Sequence, residues 1–393
     1  MNVKIRRLFV AFGFFLLLFS SSPQYVKAIE EQEEVEDALI NEISLQGMQD
    51  YWNELVQEYG GYLPDLHKTG IYDFIKNDEK FSIKQVLLGA LEFLIHEIIL
   101  NGKLLGMLFM LTLFSVFLQT MHNAFDRGAV SKIAYFVVYI VLLFLALNSF
   151  YTVVSYTKET IDMMSGFMIA LIPLLLGLMA TFGNLVAVSF FHPIIIFLVN
   201  ASGVIVSKFI LPLLFISALL LIVSNLNEEY KVTHLANLFR TVSLGVLGGF
   251  LTIFISVMSV QGAASAIQDG IGMKTAKFIT GNFIPVVGRT FTDAADTVLS
   301  ASLLLKNAVG IVGVAIVIFI SLFPALKIFT IALIYKIAAA VLQPIGDGPI
   351  IKNLNLISNY IFYMLACLLA VSFMFFIGIV IIVAASNLTM LLR

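Results

Sequence analysis

From about Leu104 to Ala384 the chain is a succession of apolar runs 17 to 25 residues long, with few charges inside them. At about 1.5 Å per helical residue, such a run is long enough to cross a hydrocarbon core about 30 Å thick. Lipid offers nothing to a bare peptide group, so each crossing must satisfy its own backbone within a helix or a sheltered turn. Composition agrees: 60% of the residues are hydrophobic and 12% charged, and mean hydropathy is strongly positive. A soluble domain of 393 residues needs far more charge to cover its surface. The expected fold is an all-α polytopic membrane protein.

The N-terminus carries a different signal. Lys4, Arg6 and Arg7 precede the apolar stretch Leu8–Phe19, and a polar segment then leads to Val26-Lys27-Ala28. This pattern predicts a secretory signal peptide over residues 1–28, cleaved after Ala28, or an uncleaved anchor helix; either one exports the next segment. Residues 29–102 hold sixteen Asp and Glu against four Lys, a net of −12, whereas residues 103–393 hold fifteen Lys and Arg against nine Asp and Glu, a net of +6. The acidic part, 29–102, is expected to be an extracytoplasmic helical segment. Val35, Leu39, Ile43, Tyr51, Trp52, Leu55, Val56 and Tyr59 recur at mostly helical spacing, and Gly60-Gly61 ends the pattern. A second helical pattern runs from Ile83 to Leu100, suited to the interface or to a partner. The segment is either a cap on its own membrane domain or a docking surface for other extracytoplasmic proteins.

For the multi-pass domain, 103–393, about eight spans are expected: 104–122, 133–155, 190–206, 209–225, 241–262, 308–323, 325–342 and 360–384. Two less regular segments, 163–189 and 274–306, resemble each other. Pro173 and Pro285 lie 112 residues apart, as do Pro212 and Pro324, and Asn237 and Asn355 lie 118 apart. Read as re-entrant hairpins, the two segments head repeats 163–262 and 274–384 of opposite orientation, an inverted repeat. That topology puts Arg127, Lys132, Lys208, Lys274, Lys277, Arg289, Lys306 and Lys352 on the cytoplasmic side, as positive-inside counting favours.

Few residues offer chemistry. Arg289, Asp293 and Asp296 share a face if their segment is helical; they either line a polar pathway or form an interfacial strip with charges in water. Pro173, Asn184, His192, Pro193, Asn282 and Pro285 fall at the expected hairpin tips and elbows, where capping or loop roles suit them. Lys327 and Lys336 can snorkel to headgroups, and Gly245, Gly248 and Gly249 suggest close helix contact. Gly270 to Thr275 lacks the Gly-Lys-Thr adjacency of a phosphate loop. Five His and one Cys show no metal spacing. No catalytic set, cofactor motif or nucleic-acid signature is visible, so neither enzyme activity, cofactor nor nucleic-acid partner is expected.

The layout combines the signal, an acidic segment with Tyr51-Trp52-Asn53-Glu54-Leu55 and Glu58-Tyr59-Gly60-Gly61-Tyr62-Leu63-Pro64, and a long membrane domain. That domain carries Gly281-Asn282-Phe283-Ile284-Pro285-Val286-Val287-Gly288-Arg289 and Gln343-Pro344-Ile345-Gly346-Asp347. Over essentially its whole length the chain resembles the stage III sporulation protein AE family. The resemblance implies a subunit in the mother-cell membrane around the forespore. Its implied partners are the other proteins of its operon, among them a cytoplasmic secretion-type ATPase and ring-forming extracytoplasmic proteins. Together they would build a secretion-like channel complex between the two cells that late forespore gene expression needs. A secondary transporter moving a small metabolite through the paired hairpins is the alternative from another class.

Overall fold

The computed structural model describes residues 46–63, 82–124, 129–181, 184–225, 231–283, 287–345 and 348–391. Among them every regular element is helical. In chain order these are α1 (Gln46–Tyr59), α2 (Ile83–Leu100), α3 (Gly102–Ala124), α4 (Ala129–Thr181), α5 (Leu185–Ile205), a π-helical turn (Val206–Ile210), α6 (Leu211–Ser224), α7 (Thr233–Phe283), α8 (Val287–Leu342), a 3-10 turn (Gln343–Ile345) and α9 (Pro349–Leu391).

The amphipathic helix α1 takes the shape its periodicity dictates. Met48, Trp52, Leu55 and Tyr59 form the buried face of α1, with Gln46, Asp50, Asn53, Glu54, Gln57 and Glu58 exposed opposite. After Tyr59 the chain turns through Gly60-Gly61, where Tyr62 and Leu63 donate their N–H groups back to Tyr59 O at 2.9 and 3.2 Å. The Val35–Ile43 part of the expected pattern and the signal at 1–28 lie outside the described residues.

The membrane domain has fewer and longer helices than expected. Among the described residues five stretches are long and apolar enough to cross a membrane, from Phe136–Thr181 to Pro349–Asn387, or six if α2 and α3, bent by 46°, count as one broken span. The expected spans 190–206 and 209–225 are joined through the π turn without a loop, because Lys208 is exposed on the outer face and does not interrupt the helix. Spans 308–323 and 325–342 are one helix running through Pro324. A single internal proline removes one N–H donor, which a packed helix can absorb.

The two re-entrant hairpins are likewise not confirmed as separate elements. Residues 163–181 are the far end of α4, whose Lys158, Glu159 and Asp162 stay helical, with Ser155 Oγ held 2.9 Å from Glu159. The segment 274–306 holds the end of α7 and the start of α8, and 284–286 lie outside the described residues. The prolines at the shared offset, Pro212 and Pro324, both lie within continuous helical stretches, Ala187–Ser224 and Leu303–Leu342, so neither marks the end of a span. Lys208 and Lys306 are therefore not loop residues, which removes the basis for counting them as cytoplasmic loop charges.

One continuous apolar core joins α1 to the long helices, and α8 packs most extensively on α9. Polar bonds between helices stitch the bundle: Ser149 to Tyr335 (2.8 Å), Ser217 to Tyr360 (2.7 Å), Ser372 to Ser321 (2.8 Å) and Ser358 to Ala332 O (2.8 Å). Close approach falls at Gly310 and Gly313, where an added Cβ would stand 2.5 Å from Val383 and 2.7 Å from Leu171. It does not fall at Gly245, Gly248 or Gly249, where nothing lies within 4 Å of such a Cβ.

Candidate functional site

The most elaborate polar site sits where α1 meets the middle of α8. Lys327 projects from an apolar helix and is 24% exposed. Its ammonium lies 5.6 to 6.0 Å from the ring centres of Tyr156, Phe93 and Tyr59, supplied by α4, α2 and α1, and 3.8 Å from Glu58 Oε1. Below it the rings continue as one stack: Tyr59 lies parallel to Phe323 at 4.1 Å, and Phe93 meets Phe323 edge-on at 4.9 Å and Tyr62 at 5.1 Å. A cavity of about 250 Å³ opens beside the lysine, lined by Glu54, Glu58, Glu159, Thr160, Tyr156 and Pro324 among others. Three carboxylates and one ammonium give it a formal charge of −2, which favours cations over anions there.

The expectation that Lys327 snorkels to a headgroup is thus corrected: it turns into protein, where aromatic faces and a carboxylate receive it. Lys336 donates to Asn355 Oδ1 (2.6 Å) and Asn359 Oδ1 (3.2 Å) on α9. Burial pushes the Tyr59 phenol well above its ordinary range, with the Glu58 carboxylate adding to the effect, and burial raises Tyr51 as well. Both phenols therefore dock α1 in their neutral form.

Replacing Lys327 with methionine keeps the stem and removes the charge. Because both partners of the ion pair are partly exposed, docking of α1 should weaken by only about 1–2 kcal/mol, read as a denaturant shift in the emission of Trp52, the protein's one tryptophan. For Tyr59, the folded pKa lies above the unfolded value of about 10. Its contribution to docking is then complete below about pH 10 and is lost as pH rises further. Trp52 emission should shift on alkaline titration beyond about pH 10, and Tyr59→Phe should flatten that shift.

A second polar cluster lies at one end of the bundle. Asn184, the wholly buried residue that opens α5, donates from Nδ2 to Ser386 Oγ at 2.8 Å instead of capping its own helix. Asp269 of α7 supplies the missing cap, accepting the Ala187 N–H at 2.9 Å. Lys306, fully buried, donates to Asn387 Oδ1 (2.7 Å) and Val383 O (3.2 Å). Neither Asp269 nor Lys306 stands out in the sequence as a site residue. The available signal is a lone ionisable side chain among apolar neighbours, which in a membrane protein marks a specific partner.

Of the residues expected at hairpin tips and elbows, Asn184 belongs to this second cluster. Pro173 is an exposed residue inside α4, and His192 and Pro193 are exposed inside α5, so none marks an elbow. Arg289, Asp293 and Asp296 lie on the opening turns of α8, and Asn282 on the last turn of α7; their side chains fall outside the described residues, as does Pro285 entirely. The Gly270–Thr275 stretch is plain helix within α7. Among the described residues no three His, Cys, Asp or Glu converge as a metal site would require.

Against known proteins, the family model described as Stage III sporulation protein AE matches residues 67–386. The chain is 54% identical over 344 residues to the Stage III sporulation protein AE of Bacillus subtilis (strain 168), which covers 88% of this chain and 86% of that one. No solved structure matches it.

Proposed function

The chain belongs to the stage III sporulation protein AE family, and from that premise we propose that it is a non-enzymatic membrane subunit of a secretion-like channel complex joining mother cell and forespore. It sits in the mother-cell membrane, with residues 29–102 extracytoplasmic. Its partners are the other proteins of its operon, including a cytoplasmic secretion-type ATPase and ring-forming extracytoplasmic proteins.

The observation that carries the assembly reading is one of length. The five long apolar stretches run for 38 to 46 residues, about 57–69 Å, roughly twice a hydrocarbon core. Large apolar side chains are exposed along both halves of these stretches, at Phe144 and Tyr151 as at Phe197, Val260 and Ile311, all more than 60% exposed, with only isolated exposed charges such as Lys158, Glu159, Asp162, Lys208 and Lys336 among them. A bilayer alone covers half of such a surface; partner proteins are the natural cover for the remainder. A solitary metabolite carrier has no need of the excess, and the described residues give the re-entrant hairpins on which that alternative rested no support as separate elements.

The test is replacement of the Bacillus subtilis relative by this chain, tagged, followed by purification in mild detergent from sporulating cells. Spore formation should be restored, and the ATPase and ring proteins should co-purify. A chain that purifies alone and moves a metabolite across liposomes by itself would sink the subunit reading.

A further inference from the structure

We infer that the bilayer occupies only one half of the bundle, bounded on one side by the Lys327 cage and on the other by a layer of Tyr139, Asn225 and Asn353, with α2 seated on its surface as a lipid-facing helix. This requires that the chain span a membrane, not that it belong to a channel.

Two polar layers bound that half. At the far level Tyr139 donates to Ile222 O, Asn353 Nδ2 donates to Tyr139, and Asn225 Nδ2 donates to Asn353 Oδ1 at 2.6 Å. The cage level contains Tyr156, on the same helix as Tyr139. Along α4 the two levels are about 25 Å apart, close to one hydrocarbon thickness of about 30 Å.

Chain connectivity places α3 in that half. Phe93 of α2 is in the cage, and so is Tyr156. Between them the chain runs through Asn101, along α3 to Ala124 and back along α4 from Ala129, so α3 and the first half of α4 must both cover the distance from the cage to the far level. The opposite half, beyond the cage, is excluded by α1. Its polar face is exposed, and it lies along α4 from the cage to Ala170, whose Cβ would be 3.4 Å from a Cβ on Gly47. A helix showing Asp50, Asn53, Glu54 and Glu58 outward is not bathed in acyl chains.

The surface helix then has a definite occupant. One side of α2, through Gly89 and Phe93, is buried on the bundle. Gln85, Glu92 and His96 form a narrow polar strip. The remaining arc presents Ile83, Leu87, Leu88, Leu91, Ile95 and Ile99, each more than 50% exposed. Past the 46° bend this apolar surface continues onto α3 at Met110, Phe114 and Phe117. A surface continuous with that of a spanning helix, with Lys84 the one cation in the arc and placed at the helix start where it can reach a phosphate, fits the acyl-headgroup boundary of a bilayer. With α1 on the exported side, the far level of Tyr139, Asn225 and Asn353 faces the cytoplasm.

The experiment starts from Cys367→Ser and places single cysteines at Leu91, Phe144, Phe197 and Val260 for a bimane label, with the full chain in vesicles of phosphatidylcholine carrying brominated acyl chains. Labels at Leu91 and Phe144 should be quenched several-fold more than those at Phe197 and Val260. Equal quenching at all four, or strong quenching at Phe197 and Val260 alone, overturns the placement. Unquenched Leu91 beside quenched Phe144 overturns the lipid seat of α2 and makes its arc a protein-binding face. A label at Glu92 as a fifth position guards against misfolding, since a native α2 keeps it accessible to a water-soluble quencher. None of these outcomes bears on whether the ATPase and ring proteins co-purify, so the two readings fail separately.

Discussion

Phe323→Ala is expected to cost about 3–5 kcal/mol, the range for removing a fully buried aromatic ring, and to detach α1 from the long helices. The ring is 0% exposed and is the common neighbour of Tyr59, Phe93 and Tyr62, so three elements lose their shared contact at once. Collapse cannot refill the space cheaply, because the surrounding residues sit on α1, α2 and α8, each fixed by other contacts. The measurement is Trp52 emission: the indole is 2% exposed on the docked face of α1 and should move toward the spectrum of a hydrated tryptophan. Unchanged Trp52 emission and an unchanged melting point in the variant would show that the ring stack does not hold the cap.

Gly89→Ala should be nearly as damaging, for a different reason. A Cβ there would stand 2.0 Å from the Tyr62 carbonyl oxygen and 3.0 Å from its carbon. The obstacle is backbone in the turn that ends α1, not a flexible side-chain tip, so α2 must lift away and take Phe93 out of the stack. Overpacking of this kind costs about 1–3 kcal/mol before the lost ring contacts are counted. The control is Gly61→Ala, where nothing lies within 4 Å of the added carbon; it should change stability by less than about 0.5 kcal/mol. Equal melting points for the two variants would contradict this account of how α2 docks.

Much of the fold is legible in the sequence, and particular residues show why. The period from Tyr51 to Tyr59 and the stop at Gly60-Gly61 rest on backbone geometry and local burial, which nearest neighbours in the chain decide. The helical ends are less legible. Pro324, Lys208 and the Lys158 to Asp162 group look like boundaries in a string of letters, yet each lies inside a continuous helix. Whether a charge ends a membrane helix depends on what stands opposite it. Glu159 and Lys327 share a cleft with Glu54 and Glu58, residues of α1 from a distant part of the chain. No local pattern announces that encounter.

Sequence alone therefore determined that the chain is helical, that most of it is long and apolar enough to fit a membrane, that an acidic helix precedes this part, and which family it resembles. Each of those rests on composition, short-range periodicity and short strings of residues, because hydrocarbon tolerates only one way of satisfying a peptide group within a single segment. The tertiary structure decided how many helices there are, where a polar face meets an apolar one, and which buried charges are met by which partners. Those outcomes depend on pairings between distant segments, whose free energy is set by geometry that no single segment contains.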